Sequence, residues 1–357
     1  MQSHGGQVRK NAEFCYSCGD FGESSASNRY ARRSLLRAAV FGGGGGNGET
    51  GTDPPVLRPA SDATIVTGVV ADVSPDVLIL HTTSGDVRLT LTPGTRAWRG
   101  SAVSPAALRR GDQAIVRRAR ERASAERVWA RIGRVTGTII ERQGSELLVD
   151  EGPARQREVV LIGKNSLRPI QVRFPRMEPG YLIDVIGLRQ ERYLLGLTPA
   201  TAQPPYRADH PPTPPLVNGH VPERISGTAV WHEPGEEPLG LVGVAYPALD
   251  PETNCGHAAP HGREPYLADP HTASPGCVRL PYLSVGSMVR IRNECTDREE
   301  VLPVTSCGAS ARLFCDRCVE CGTSPRGRLA DLTVTAFAGL GGNLEDGCFN
   351  ATLAMAG

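Results

Sequence analysis

A chain of 357 residues exceeds one ordinary core, so two or three domains are expected. Its 39 basic and 38 acidic side chains leave a formal net charge of +1, which excludes a global field drawing it to nucleic acid or acidic membranes. Aromatic residues make up 5%, against 41 Gly and 29 Pro, which favours short strands and turns, and no apolar run is long enough for a membrane-spanning helix.

Residues 1–58 are rich in Ser, Gly and Asn, show no sustained period, and contain the run Gly42 to Gly46, so they read as a leader that buries no core. Cys15-Tyr-Ser-Cys18 is a lone CxxC, open to half a zinc site, a redox pair, or a leader discarded before it acts. The run Ala31-Arg32-Arg33-Ser34-Leu35-Leu36-Arg37-Ala38-Ala39 resembles a twin-arginine export signal. Its form is degenerate, because only Ala38 to Phe41 is apolar before the glycines and no clean cleavage site follows. The resemblance implies an extracytoplasmic location, secreted or envelope-associated. The alternative is a basic turn in a disordered tail.

Residues 62–134 and 135–198 repeat at an offset of 69. Val66-Thr67-Gly68-Val69-Val70 aligns with Val135-Thr136-Gly137-Thr138-Ile139, Leu78-Ile79-Leu80 with Leu147-Leu148-Val149, and Arg110-Gly111 with Pro179-Gly180. Each unit is expected to give five short strands, among them Gln113 to Val116 and Leu182 to Val185, closing into a small barrel. These units resemble the OB-like barrels of exported bacterial proteins. That resemblance implies oligonucleotide or oligosaccharide ligands, and the first unit does carry Arg109, Arg110, Arg117, Arg118, Arg120, Arg122, Arg127 and Arg131. Asp112, Glu121 and Glu126 interrupt them and Trp129 is nearly the only aromatic, so a solvated helix or loop is expected and no nucleic-acid partner. Residues 199–224 are Pro-rich and read as a semi-rigid spacer holding a third domain apart.

Residues 225–357 open with Gly227-Thr228-Ala229-Val230-Trp231-His232 and give apolar strands at Met288 to Arg292 and Val301 to Val304. Leu283 to Asn293 supplies a Gly286 turn and strand, and Arg328 to Thr333 leads into Ala336-Phe337 and Leu340-Gly341. This order resembles the double-psi β-barrel of rare lipoprotein A and the expansins. The fold class is therefore mainly β, with two OB-like barrels and a disulfide-rich six-stranded double-psi barrel.

The resemblance implies that Asp331 sits in a shallow groove, where a lytic relative would use it with a second aspartate on a glycosidic oxygen. Ser306 stands where that second aspartate belongs, and a serine hydroxyl is no general acid near neutral pH. Asp331 also has a plain reading as cap of a helix from Leu332 to Ala338. Trp231 reads equally as core anchor or sugar-stacking platform, and His232 as a polar strand residue. His257 and His271 lie too far upstream to supply the family's histidine. Thr228, Trp231, Ser306 and Asp331 are the candidate ligand contacts.

Cys255, Cys277, Cys295, Cys307, Cys315, Cys318, Cys321 and Cys348 are even in number, which suits four bridges in a domain short of large apolar side chains. The rival is a zinc or iron–sulfur site on Cys307, Cys315, Cys318 and Cys321. The reading overall is an exported monomer needing no cofactor or metal, binding cell-wall polysaccharide or peptidoglycan without cleaving it. The alternatives are a peptidoglycan-remodelling lytic enzyme using Asp331, and a thiol-ligated metal protein.

Overall fold

The computed structural model describes residues 64–119, 123–152, 155–203, 206–210, 223–233, 240–246, 283–307 and 328–355. Cys15, Cys18, the arginine pair at 32 and 33, and most of the Pro-rich spacer lie outside the described residues. What is described is mainly β, and it divides after Ala130 into two compact units.

The first unit contains β1 (Ile65–Val73), β2 (Val77–Thr82), β3 (Gly85–Thr90), β4 (Arg96–Trp98), β5 (Ala102–Val103), β6 (Gln113–Arg118) and β7 (Ala125–Ala130). They form one sheet in the order β3-β2-β1-β6-β7-β4-β5, where a closed five-stranded barrel was expected. The reason lies at one seam. Short β4 runs parallel to β7, from Arg96 opposite Arg127 to Trp98 opposite Trp129, and takes the edge that β3 would need. The end of β3 reaches β7's entrance through a single bridge, Thr90 to Ser124. Alternation places Val70, Leu78, Leu80, Leu89, Val116 and Val128 in the core.

The second unit begins with β8 (Ile132–Gln143), β9 (Glu146–Asp150), β10 (Glu158–Ile162), helix α1 (Lys164–Arg173), β11 (Leu182–Arg189) and β12 (Leu194–Pro199). Here β10 itself pairs in parallel with β12, from Val160–Leu194 to Ile162–Gly196, and the ring β10-β12-β11-β8-β9 closes. Ile170 of α1, with Phe174 and Met177 just beyond it, joins Val135, Ile139, Val149 and Ile183 in that barrel's core.

The offset of 69 is carried by the backbone as well. A Cβ on Gly68 would stand 2.5 Å from the His81 carbonyl oxygen, and one on Gly137 would stand 2.1 Å from that of Asp150. Only glycine lets the first two strands of each unit approach so closely. Each unit then bulges three residues later, skipping Ala71 between Val70 and Asp72 and Ile140 between Ile139 and Glu141.

A closed six-stranded barrel follows, in the order β13-β17-β14-β16-β15-β18. Its strands are β13 (Arg224–His232), β14 (Val244–Tyr246), β15 (Met288–Asn293), β16 (Glu299–Cys307), β17 (Arg328–Thr333) and β18 (Cys348–Met355). The pairs β13–β17 and β14–β16 are parallel and the rest antiparallel. Helix α2 (Val334–Gly339) leaves β17 directly and packs Phe337 against Phe349, with ring centroids 4.7 Å apart. The spacer does not keep this barrel away from its neighbour. The five- and six-stranded barrels belong to one compact unit and share buried contacts, for which chain stiffness in a spacer is no obstacle once the two faces are complementary.

Replacing Gly68 or Gly137 by Ala should destabilise the unit that contains it by about 1–3 kcal/mol, read by urea unfolding, because an added methyl has no room between the strands.

Candidate functional site

Strand β17 carries Asp331 between Val230 of β13 and Ala245 of β14, and Ala245 in turn lies opposite Ser306 of β16. Asp331, Ala245 and Ser306 therefore form a row across three strands, which separates the Asp331 and Ser306 backbones by two strand spacings, roughly 10 Å. Ser306 is half-buried and Asp331 is buried. At the end of β13, the His232 Nδ1 lies 3.3 Å from Asp331 Oδ1.

Asp331 does not cap α2. Thr333 does, its hydroxyl accepting from the Ala336 amide at 3.4 Å, because the strand runs two residues further than the aspartate before the helix turns. Nor is Trp231 a platform for sugars. It is 1% exposed, its Nε1 donates to the Leu344 carbonyl at 3.0 Å, and the Arg134 guanidinium stands 5.6 Å from its ring centroid. Thr228 is likewise buried, with no hydrogen-bond partner for its hydroxyl among the described residues.

What the strand ends build is a charge cluster between the five- and six-stranded barrels. Asp184, on β11 and 0% exposed, accepts from Arg134 Nε at 2.8 Å and Nη2 at 2.7 Å, a two-pronged clasp from neighbouring β8. Hydroxyls of Thr136 at 2.8 Å and Thr201 at 2.6 Å add two donors. The fifth comes from the other barrel, Arg328 Nη2 of β17 at 2.9 Å. Arg134 repays the contact, its Nη1 donating to the Gly347 carbonyl at 2.6 Å. Gly347 has φ of 78°, and a side chain there would run into Ala200 and Ile186.

Burial alone would raise the pKa of Asp184, but Arg134 and Arg328 hold it well below the usual carboxylate range. For Asp331 burial again pushes upward, and His232, Arg134 and Arg328 more than offset it, so its pKa is also lowered. Both carboxylates are ionised, and two aspartates face two arginines with His232 at the margin. Beside this core Glu233 receives Arg189 through Nε at 2.9 Å and Nη2 at 2.5 Å, while Arg189 Nη1 reaches Glu158 at 2.9 Å. Glu233 also accepts from the Arg134 amide at 2.9 Å, so the end of β13 is clasped to β8 and β11.

Sequence reasoning placed Asp331 and missed Asp184, Arg134 and Arg328. The repeat contains a usable signal. At the positions 69 residues earlier stand Ile65 and Ile115, both buried, so the second unit has an ion pair where the first has two isoleucines. The arginine-rich stretch of the first unit also differs in part from expectation. Arg109 and Arg110 lie in the loop before β6, as expected, while Arg117, Arg118 and Arg127 lie on the strands β6 and β7, with Arg117 and Arg127 directly opposite each other. Like charges there would repel. Trp129 lies 5.4 Å and 5.5 Å from the two guanidinium carbons, and Glu126 sits 3.1 Å from Arg117. Arg120 and Arg122 lie outside the described residues.

Of the eight clustered cysteines, Cys295 lies in the β15–β16 turn, Cys307 at the end of β16 and Cys348 at the start of β18. Cys255, Cys277, Cys315, Cys318 and Cys321 lie outside the described residues, as do His257 and His271. Among the described residues no group of three or more His, Cys, Asp or Glu is placed to hold a metal ion.

Asp184→Asn should cost about 3–5 kcal/mol in unfolding experiments, since it leaves two buried guanidinium groups without their shared anion. Glu151 gives a pH test. Burial pushes its pKa from 4.5 up to about 7, Glu233 and Glu158 acting in the same sense against Arg155 and the Thr136 amide. A carboxyl that holds its proton more tightly when folded stabilises fully below pH 4.5 and loses that contribution as pH rises through about 7. Glu151→Gln should therefore raise the melting temperature at pH 8, by roughly 1–3 kcal/mol of stability, and leave it little changed at pH 4. No protein-family model and no curated protein matches this chain.

Proposed function

We propose that this is an exported cell-envelope protein whose C-terminal barrel has double-psi topology and holds cell-wall glycan without cleaving it. The single observation that carries the non-catalytic part is the state of Asp331. A general acid for glycosidic cleavage needs a raised pKa and contact with the leaving oxygen. Asp331 is 6% exposed, lies beside His232, and is held ionised by two arginines and the imidazole. It stabilises a buried charge cluster in place of donating a proton.

Several observations support the fold assignments within this reading. Two parallel strand pairs inside a six-stranded ring are what two crossed psi loops require. The five-stranded ring with its helix between the third and fourth strands has the strand order of an OB-type barrel. Of the four candidate ligand contacts only Ser306 keeps appreciable exposure, at the end of β16 where the chain continues into 308–327. A glycan would therefore be held at the β14–β16 end of the barrel rather than at Asp331. Disulfide bridges among the eight cysteines remain part of the proposal, as does export by the twin-arginine route.

Incubation with purified peptidoglycan should pellet the protein and release no anhydro-muropeptides, and Asp331→Asn should lower stability without changing that release profile. Release of anhydro-muropeptides by the parent protein but not by Asp331→Asn would establish the lytic reading instead. Failure to pellet would remove the glycan ligand.

A further inference from the structure

The five-stranded barrel has a face that the charge cluster does not use. Helix α1, Lys-Asn-Ser-Leu-Arg-Pro-Ile-Gln-Val-Arg, contains no acidic residue, and Lys164, Arg168 and Arg173 are exposed on it. Ile170 points into the core, so these bases lie on the solvent side. The loop after the helix adds a base and one acid, Glu178, which is also exposed. Arg176 is exposed, and Arg142 of β8 reaches across to donate to the Met177 carbonyl at 3.0 Å. Among the described residues no carboxylate forms an ion pair with Lys164, Arg168, Arg176 or Arg142.

The surroundings narrow the partner. Tyr181, an aromatic side chain near this face, is 8% exposed, with Arg176 5.3 Å and Arg207 5.7 Å from its ring centroid, so it offers no open ring for a nucleic-acid base to stack on. Val172, at 73% exposure, is the one exposed large apolar side chain on the helix, too little to anchor it in a bilayer. What is left is attraction to regularly spaced anionic groups by guanidinium and ammonium groups with donors to spare.

We propose that the α1 face is a binding site for a base-free phosphate or phosphodiester polymer, a second ligand surface independent of the C-terminal barrel and of the glycan reading. Lys164 and Arg168, one helical turn apart, and Arg176 beyond the helix end contact successive phosphates, while Arg142 and Arg207 brace the loop on which Arg176 stands, through the Met177 and Pro179 carbonyls. Binding is electrostatic, so it weakens steeply with salt.

The test uses the full chain and linear inorganic polyphosphate as probe, with a single-stranded oligonucleotide of matching charge and vesicles of acidic phospholipid alongside. Polyphosphate should bind at low salt, and Lys164→Gln with Arg168→Gln should weaken it by about tenfold or more. Arg290→Gln with Arg292→Gln, an equal loss of charge on the six-stranded barrel, should leave it unchanged. The proposal is overturned by any of three results: no polyphosphate binding, equal weakening by both double variants, or the oligonucleotide or vesicles binding more tightly than polyphosphate at equal charge. Peptidoglycan pelleting by the same variants should stay at the parent level, so failure of the glycan reading would be seen separately.

Discussion

The carboxylate of Asp184 is the constraint on which the second unit depends. A carboxylate stripped of water is tolerated only when its lone pairs and its charge are both met, and Asp184 meets them with five donors, three of them from two arginines. Four of those donors come from its own barrel or the residues just after it. The fifth, Arg328, comes from 144 residues further along and belongs to the six-stranded barrel. Neither arginine could be buried there without the aspartate. The interface is thus specified by charge as well as by shape, since a shifted docking would strand buried ions. Glu233 adds a second fixed point by clasping Arg189, and Gly347 allows the close approach that brings its carbonyl to Arg134.

That arrangement explains the fate of Asp331. It sits three residues after Arg328 on one strand, so whatever fixes Arg328 also fixes the field at Asp331. The arginines that satisfy Asp184 help His232 keep Asp331 ionised, and His232 Nδ1 lies 3.3 Å from its Oδ1. Trp231, next to His232, is buried under Arg134 by the same docking. Features that would serve chemistry on an open groove, a carboxylate, an imidazole and an indole, are all drawn into the joint between two barrels.

Much of the fold was legible because its signals are local. The 69-residue offset showed in glycines at 68 and 137, which the backbone requires for close strand approach, and the strands at Met288 and Val301 were read from their own short segments. The open first sheet was not legible, because it depends on three residues of β4 competing for one edge. The cluster was hidden for a different reason. Asp184 lies within an apolar strand and its partners are 50 and 144 residues away, so no window of sequence contains the interaction. Comparing the two repeats position by position exposes it, since the isoleucines of the first copy show what an unmodified barrel face carries. Asp331 as helix cap failed by two residues, a boundary error of the kind that strand-to-helix junctions invite.

The contrast between the repeats also bears on why a buried ionic joint was kept at all. Ile65 and Ile115 show that apolar side chains fit the equivalent places in the first repeat, and a well-packed apolar pair is often as stable as an ion pair or more so. An apolar interface, however, would tolerate sliding and would leave Arg328 and Asp331 of the six-stranded barrel unmatched. The ionic version ties the orientation of the six-stranded barrel to a single set of contacts within one compact unit, which carries both the Ser306 end of that barrel and the basic face of α1. If both proposed surfaces bind, a frame held in this way would let them engage neighbouring parts of one extended polymer network at once, gaining avidity from geometry without either site needing to be strong.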